Sequence, residues 1–473
     1  MEKHASREPF VRERGMGRMR VLVLNGSPSG ENSITLFTVR YLEKKFPAVT
    51  FETLHVGQRI RHYEQAFGEA EEKIAAADLI LFYYPVYTFL VPAQLHRFIE
   101  LMKASGIDCS RKYATQITTS KHFYDVTAHR FIQDNCDDLG LRYIRGLSAD
   151  MEDLLSEQGQ VEAEAFFRFV LWQAERGYAE TPLYRGPEPF APVVPAGADS
   201  ARAEKKAGTV VIVTDCGEEE NAGALPAMIG RFRDRLPYET RVVNLRMFPF
   251  AGGCLGCFHC AADGTCVYKD GFDRYLRENI QSADAIVYAY TIRDHSMGTR
   301  FKLYDDRQFC NGHRTVTMGR PVGYLVDGAL AREPNLRMLM EARAEVGGNF
   351  LSGIATDETD PEAEIDKLAE TLAYAVENGY RQPKNFFGVG GLKIFRDLIY
   401  QMQGLMRADH RFYREHGFYD DFPQKHRGRI AAMYLVGALM KNPKRMKKFS
   451  GRMTEGMTMP YRKVLEKAEK QNG

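Results

Sequence analysis

Two buried-strand signatures, set 206 residues apart, restrict the fold more than any other feature of the sequence. Ala76-Ala-Asp-Leu-Ile-Leu-Phe-Tyr-Tyr84 and Ser282-Ala-Asp-Ala-Ile-Val-Tyr-Ala-Tyr290 share a small-residue–Asp turn and an apolar run. A second pair, Arg20-Val-Leu-Val-Leu-Asn25 and Thr209-Val-Val-Ile-Val-Thr214, recurs at an offset of about 190. Such unbroken β-branched runs fit strands of a parallel sheet covered on both faces. Around the first pair the pattern predicts a turn at Gly26–Ser33 and a helix through Tyr41 and Leu42. It continues with a strand at Thr50–Leu54, a helix near Glu69–Ala77 and a strand at Leu79–Tyr84. A helix at Ala93–Lys103, a strand near Tyr113–Thr118 and a helix from about Asp125 complete it. Strand–helix alternation of this kind predicts an α/β fold with a doubly wound parallel sheet, and its recurrence predicts two in tandem. Shared β/α periodicity alone is the alternative origin of the repeat.

The expected organisation is an arm at 1–18, a first domain at 19–185 and a Pro/Gly/Ala-rich linker at 186–208. A second domain follows at 209–383, then a helical extension at 384–473 with apolar helical spacing in Leu392–Met406 and Arg429–Met440. Met16 or Met19 is a possible alternative start. The chain has 473 residues, 44% hydrophobic and 27% charged, which excludes a disordered or fibrous class. It lacks the roughly 20 consecutive apolar residues of a membrane span. Its first residues carry no apolar secretory segment. Eight cysteines are too few for a disulfide scaffold at this length, so a reduced, cytoplasmic protein is expected.

The net charge of +2 is unevenly distributed. From Lys384 onward 19 Lys/Arg face 8 Asp/Glu, so the extension carries +11 and the residues before it −9. The extension therefore reads as a piece docked on an acidic body. An anionic membrane surface, nucleic acid or an acidic redox partner are the sharper readings of the charge, and of these no nucleic-acid partner is expected. Its run Lys441-Asn-Pro-Lys-Arg-Met-Lys-Lys448 reads as a solvated face, or as a contact for an anionic partner. The extension holds 8 of the 19 methionines, a composition suited to adaptable packing.

Gly26-Ser-Pro-Ser-Gly-Glu-Asn-Ser33 joins a buried strand to a helix. Small residues let backbone amides converge at the helix N-terminus, while Ser27, Ser29, Asn32 and Ser33 add short donors, a setting suited to a phosphate. It matches neither a Walker A loop nor GxGxxG, and an ordinary βα loop is the plain alternative. Together with Tyr84-Pro-Val-Tyr87 and Pro92-Ala-Gln-Leu-His-Arg-Phe-Ile99, this loop resembles the flavodoxin-like NADPH-dependent FMN reductase family over roughly residues 19–180.

The resemblance implies FMN phosphate on Ser27, Ser29, Asn32 and Ser33. It implies an isoalloxazine walled by Pro85, Val86, Tyr87 and Thr88, with Phe89 beside it, and a third loop of Thr118, Thr119, Ser120, Lys121 and His122 closing over the ring. Ser29 stands where the family usually has a basic residue. Tyr87 is expected to flank the ring, and Lys121 and His122 to place positive charge near its pyrimidine edge. NAD(P)H is the implied reductant.

The second half carries Cys254-Leu-Gly-Cys257-Phe-His-Cys260-Ala-Ala-Asp-Gly-Thr-Cys266. This C-x2-C-x2-C-x5-C spacing suits a [4Fe–4S] cluster. A zinc ribbon separates its C-x2-C pairs by about 15–20 residues and fits poorly; a redox-active or structural thiol set is the third reading. Iron–sulfur flavoproteins of the same family resemble the insert, including Lys269-Asp270 after it, which implies a cluster near FMN across a subunit interface. His259 is expected to be exposed or secondary. Cys109, Cys136, Cys216 and Cys310 are expected to be buried small hydrophobes.

The flavin loops of the second half depart from the family. Asp215-Cys-Gly-Glu-Glu-Glu220 puts four carboxylates where a phosphate would sit, and like charges repel. Thr291-Ile-Arg293 replaces the Pro-x-Tyr stretch, whereas Phe301–Arg307 keeps the pattern of the sheet-packing helix. The first half reads His55-Val-Gly-Gln-Arg-Ile-Arg-His62 where the cysteines would be. One composite centre is therefore expected, FMN on the first half facing cysteines of the second, in a pseudo-dimeric monomer or a homo-oligomer. It would pass electrons from NAD(P)H through flavin and cluster to an acceptor. The alternatives are an FMN-dependent quinone or nitro-compound reductase with structural cysteines, and a non-enzymatic flavodoxin-like electron carrier or sensor.

Overall fold

The computed structural model describes residues 19–33, 36–182, 190–198, 205–217 and 223–439. The expected arm 1–18, the carboxylates Glu218–Glu220 and the basic run Lys441–Lys448 lie outside the described residues.

The first half runs β1 (Arg20–Asn25), α1 (Leu36–Lys45), β2 (Thr50–Leu54), α2 (Ile60–Gln65), α3 (Gly68–Ala76), β3 (Leu79–Pro85) and α4 (Ala93–Ser105). It continues with β4 (Tyr113–Ser120), α5 (Asp125–Asp138), β5 (Arg142–Tyr143), β6 (Leu147–Asp150) and α6 (Glu157–Arg176). The second half runs β7 (Lys206–Thr214), α7 (Ala224–Arg235), β8 (Tyr238–Asn244), α8 (Cys260–Asp263), α9 (Phe272–Asn279), β9 (Ala285–Thr291) and α10 (Gly298–Arg307). β10 (Pro321–Asp327), α11 (Pro334–Gly347), β11 (Phe350–Thr356) and α12 (Pro361–Asn378) complete it, before α13 (Phe386–Gln401), α14 (Arg407–Glu415) and α15 (Arg427–Leu439). Up to His410 the described residues form one compact unit, and a second begins at Arg411. No described helix is long and apolar enough to cross a membrane.

Both sheets are parallel. The first has the order β2-β1-β3-β4-β5, with β6 beside the end of β4; the second has β8-β7-β9-β10-β11. Each is the flavodoxin-like 2-1-3-4-5 order, with its switch point beside the first strand. The repeat is visible atom by atom. Asp78 Oδ2 accepts from Arg20 N at 2.8 Å, and Asp284 Oδ2 accepts from Thr209 N at 2.8 Å. Each third strand is followed by the same two-residue reversal, with φ 40° and 71° at Thr88 and Phe89, and 49° and 60° at Asp294 and His295. Tyr87 and Leu90 exchange backbone bonds across the first reversal, as Arg293 and Ser296 do across the second. Left-handed backbone at four non-glycine residues costs of order 1–3 kcal/mol each, so surrounding contacts must hold both turns.

Alternation along the central strands separates three apolar clusters. Val21 and Val23 face one, Val210 and Ile212 another, while Leu22, Leu24, Val211 and Val213 all face a third, shared by the two sheets. Helix α4 packs on α10 and α5 on α11 across this shared core. At its centre Lys302 and Asp306 form a fully buried ion pair. Lys302 Nζ donates to Tyr87 O at 2.9 Å and Thr88 Oγ1 at 2.8 Å, and Asp306 Oδ2 accepts from Ala93 N at 2.8 Å. A buried pair is tolerable when its remaining donors and acceptors are met in this way. The second half thereby grips the reversal after β3 of the first.

Candidate functional site

The first loop is shaped by Asn25, buried at the end of β1. Its Nδ2 donates to Gly30 O at 3.0 Å and lies 3.1 Å from His55 Nδ1; its Oδ1 accepts from Ser27 N at 3.0 Å. Desolvation lowers the pKa of His55, which keeps the ring neutral and able to accept from that amide. Gly26 is required by packing, because a Cβ there would come 2.6 Å from Leu95 Cδ2. Gly30 N donates to Ser27 O and Ser29 N to Ser27 Oγ, curling the chain into a cup at the carboxyl end of the sheet. Open α/β sheets hold ligands at that place.

The cup opens into a cavity of about 610 Å³, whose lining includes Ser27, Ser29, Asn32 and Ser33, then Pro85, Val86, Tyr87, Thr88 and Phe89, and Thr119, Ser120 and Lys121. Among the described residues, Ser120 Oγ is buried without a hydrogen-bond partner, as expected of a hydroxyl that faces a ligand. Two residues of the expected third loop lie elsewhere. Thr118 is buried in the strand with Oγ1 2.8 Å from His129 Nε2. His122, at φ 55°, turns its ring outward, with Nδ1 2.9 Å from Ser148 Oγ. Lys121 stays on the cavity wall but is paired with Asp150 at 2.8 Å.

All four cysteines of the compact motif line the same cavity. Their loop is anchored from behind by Arg307, whose guanidinium makes two 2.8 Å bonds to Asp270 and a third to Gly252 O. It lies 4.5 Å from the Tyr268 ring centroid, and Nη2 is 3.9 Å from Cys266 Sγ. Asp270 also accepts from Ala251 N and Phe272 N, which explains the Asp that follows the motif. Gly256 N points at Cys254 Sγ across 3.5 Å.

Burial pushes the Cys254 thiol well above its ordinary range and Cys260 up to about 11. Burial therefore keeps these two thiols protonated and weak as free nucleophiles; a bound cation would have to displace the proton. Among the described residues no three of these sulfurs lie within 4.8 Å of one another. Tetrahedral zinc with Zn–S of roughly 2.3 Å needs sulfurs about 3.8 Å apart. The C-x2-C-x2-C-x5-C spacing is compatible with an iron–sulfur group, and one amide already points at a sulfur.

The two halves meet at this loop. Gln94 Nε2 donates to Cys254 O at 3.3 Å, Ser29 Oγ to Leu255 O at 3.5 Å, and Arg61 to Ala251 O. A Cβ on Gly256 would overlap Tyr87 Oη, so the tyrosine expected to flank the flavin touches the cysteine loop directly.

Several lining residues escaped sequence reasoning. Cys310 was expected only as a buried hydrophobe; it is buried, but it also lines the cavity, and burial pushes its thiol up to about 12. Cys109 and Cys136 are buried as expected, whereas Cys216 is only half-buried. His259 is exposed at the cavity mouth. Phe309 packs edge-on to Tyr87 at 5.5 Å. From α13, Phe395 and Leu398 form part of the wall, with the Phe395 ring 4.2 Å from Phe123 and 4.6 Å from His313. The apolar spacing of Leu392–Met406 marked a helix but could not say what it covers.

In the second half, the described start of the equivalent turn, Asp215–Gly217, is held by Arg246 and Asn244. Arg246 Nε donates to Asp215 O at 2.6 Å, Asn244 Nδ2 to Cys216 O at 3.0 Å, and the Arg246 guanidinium packs on Gly217. At the neighbouring strand ends Asp357 is buried against Asp327, and desolvation together with that carboxyl pushes its pKa up to about 7.

Residues 19–126 match the family model described as NADPH-dependent FMN reductase. An iron-sulfur flavoprotein of Archaeoglobus fulgidus is 28% identical over 176 residues, covering 35% of this chain and 79% of that protein. Similar solved structures include an FMN-dependent NADH-azoreductase from Bacillus anthracis, at 12% identity and TM-score 0.26, covering 33% of this chain and 98% of the other. An NAD(P)H:quinone oxidoreductase from Methanothermobacter marburgensis, at 14% identity and TM-score 0.27, covers 34% and 99%. Residues 19–126 are thus similar to the NADPH-dependent FMN reductase family.

Proposed function

We propose that the chain carries a single composite redox centre, with FMN on the loops of the first half and a [4Fe–4S] cluster on Cys254, Cys257, Cys260 and Cys266 of the second. When bound, the flavin supplies two-electron chemistry with NAD(P)H and the cluster supplies one-electron exit to an acceptor. The observation that carries this reading is the shared cavity, lined by the flavin loops of one half and all four motif cysteines of the other.

The chain's own residues have definable tasks. Ser27, Ser29, Asn32 and Ser33 present the phosphate cup, and Ser120 offers its unpaired hydroxyl to the ring side. Tyr87, whose Oη lies against Gly256, would flank the ring and so link the two parts of the centre. Gln94 and Ser29 hold the carbonyls of Cys254 and Leu255, fixing the sulfur loop relative to the flavin loops. Lys121, paired with Asp150, contributes a weakened positive charge, and His122 would act only if its loop turned inward. The absence of disulfides among the described residues fits a reduced, cytoplasmic setting.

The test replaces one ligand. Cys257→Ser is expected to keep flavin reduction by NAD(P)H near the wild-type rate and to lose at least about a hundredfold in transfer to a one-electron acceptor. Undiminished transfer would instead favour a simple reductase with structural cysteines.

A further inference from the structure

We propose that the seam between the halves holds a separate metal, a divalent first-row cation of the Mn²⁺ or Zn²⁺ type, bound by His96 and Glu100 of α4 and Asp294 of the reversal after β9. One ring nitrogen of His96 and one carboxylate oxygen from each partner lie within 4.8 Å of one another. His96 and Glu100 are four residues apart and share a helix face. Asp294 comes from the other half, on the left-handed reversal after β9 at φ 49°.

His96 is the residue that points to a ligand. It is 1% exposed, its ring stands edge-on to Phe131 at 4.9 Å, and neither Nδ1 nor Nε2 has a hydrogen-bond partner among the described residues. Buried polar groups in folded proteins are rarely left this way, and an imidazole nitrogen next to two carboxylates has the donor set of a divalent site.

The surrounding charges leave room for a dication. Glu100 accepts from Arg97 at 2.7 Å and from Thr299 N at 3.0 Å, and Asp294 lies 3.0 Å from Lys103. Arg97 is shared with Glu64 at 3.0 Å, however, and Lys103 with Asp138 at 2.6 Å. Four carboxylates thus draw on Arg97 and Lys103, with His295 also on Asp138 at 2.9 Å. The neighbouring trio Asp134, His295 and Glu333 is equally close but already closed, because both ring nitrogens of His295 are used, on Asp138 and Glu333.

The site would fasten α4 to the second half two residues from Gln94, which holds the Cys254 carbonyl. It does not depend on the composite redox centre.

Mn²⁺ distinguishes it from the cysteine loop, because carboxylate-rich sites suit manganese and thiolates do not. Titration of the full chain with MnCl2, followed by electron paramagnetic resonance, should find one bound Mn²⁺ per chain and a melting temperature that rises with Mn²⁺. His96→Gln and Asp294→Asn should each weaken binding at least about tenfold, while Cys257→Ser should leave it unchanged. Equal binding by wild type and both variants, no stoichiometric binding, or loss in Cys257→Ser would overturn the proposal. Asp294→Asn lies on a partly exposed turn, so a folded variant is available even where His96→Gln perturbs the core.

Discussion

Gly256 has no room for a side chain, since its φ is +61° and a Cβ would collide with Tyr87 Oη. Gly256→Ala should therefore cost about 1–2 kcal/mol from the backbone alone and displace either the tyrosine or the sulfur loop. The expected result is reduced retention of FMN and iron after gel filtration, partly restored in the double variant with Tyr87→Phe. Unchanged retention in Gly256→Ala would separate the tyrosine from the cysteines. Arg307 offers a second test, because its pair with Asp270 is almost wholly buried. Arg307→Met strands a buried carboxylate and should lower stability by about 3–5 kcal/mol in thermal or urea unfolding. Much of this residue scale was readable in advance: cysteine spacing marked the sulfur loop, and Ser/Asn composition marked the cup. Thr118 and His122 were not separable from their neighbours in the sequence. Strand alternation sends Thr118 toward His129, and a left-handed residue turns His122 outward.

Among the elements, the strand ends distinguish the two halves. Asp327 and Asp357 close β10 and β11, and the raised pKa of Asp357 means that the folded state holds its proton more tightly than the unfolded chain. Stability from this group is present below about pH 4 and declines as the pH rises through about 7. Melting temperatures of wild type and Asp327→Asn should diverge between pH 5 and 8.5 in favour of the variant; parallel curves would contradict the pairing. Helix α13 is a second case. Phe395 closes the cavity beside Phe123 and His313, so Phe395→Ala should speed FMN release, as measured by fluorescence after dilution. Strand and helix positions followed from apolar spacing to within a few residues. The role of α13 did not, because an amphipathic pattern specifies a buried face but not the surface that buries it.

For the molecule as a whole, duplication was legible because the Asp and the apolar run after it recur 206 residues later. The junction of the halves was not. Lys302 and Asp306, four apart on a helix, look in sequence like a routine solvent-facing pair, yet they are fully buried and bind the backbone of the other half. One core serves both sheets, so residues 19–185 expressed alone should expose apolar surface and aggregate. The division of cofactors between the halves is tested most directly by one quantity: FMN, iron, acid-labile sulfide and zinc per chain after anaerobic purification. The expected composition is one FMN with four iron and four sulfide. Two FMN per chain, or zinc in place of iron, would contradict it.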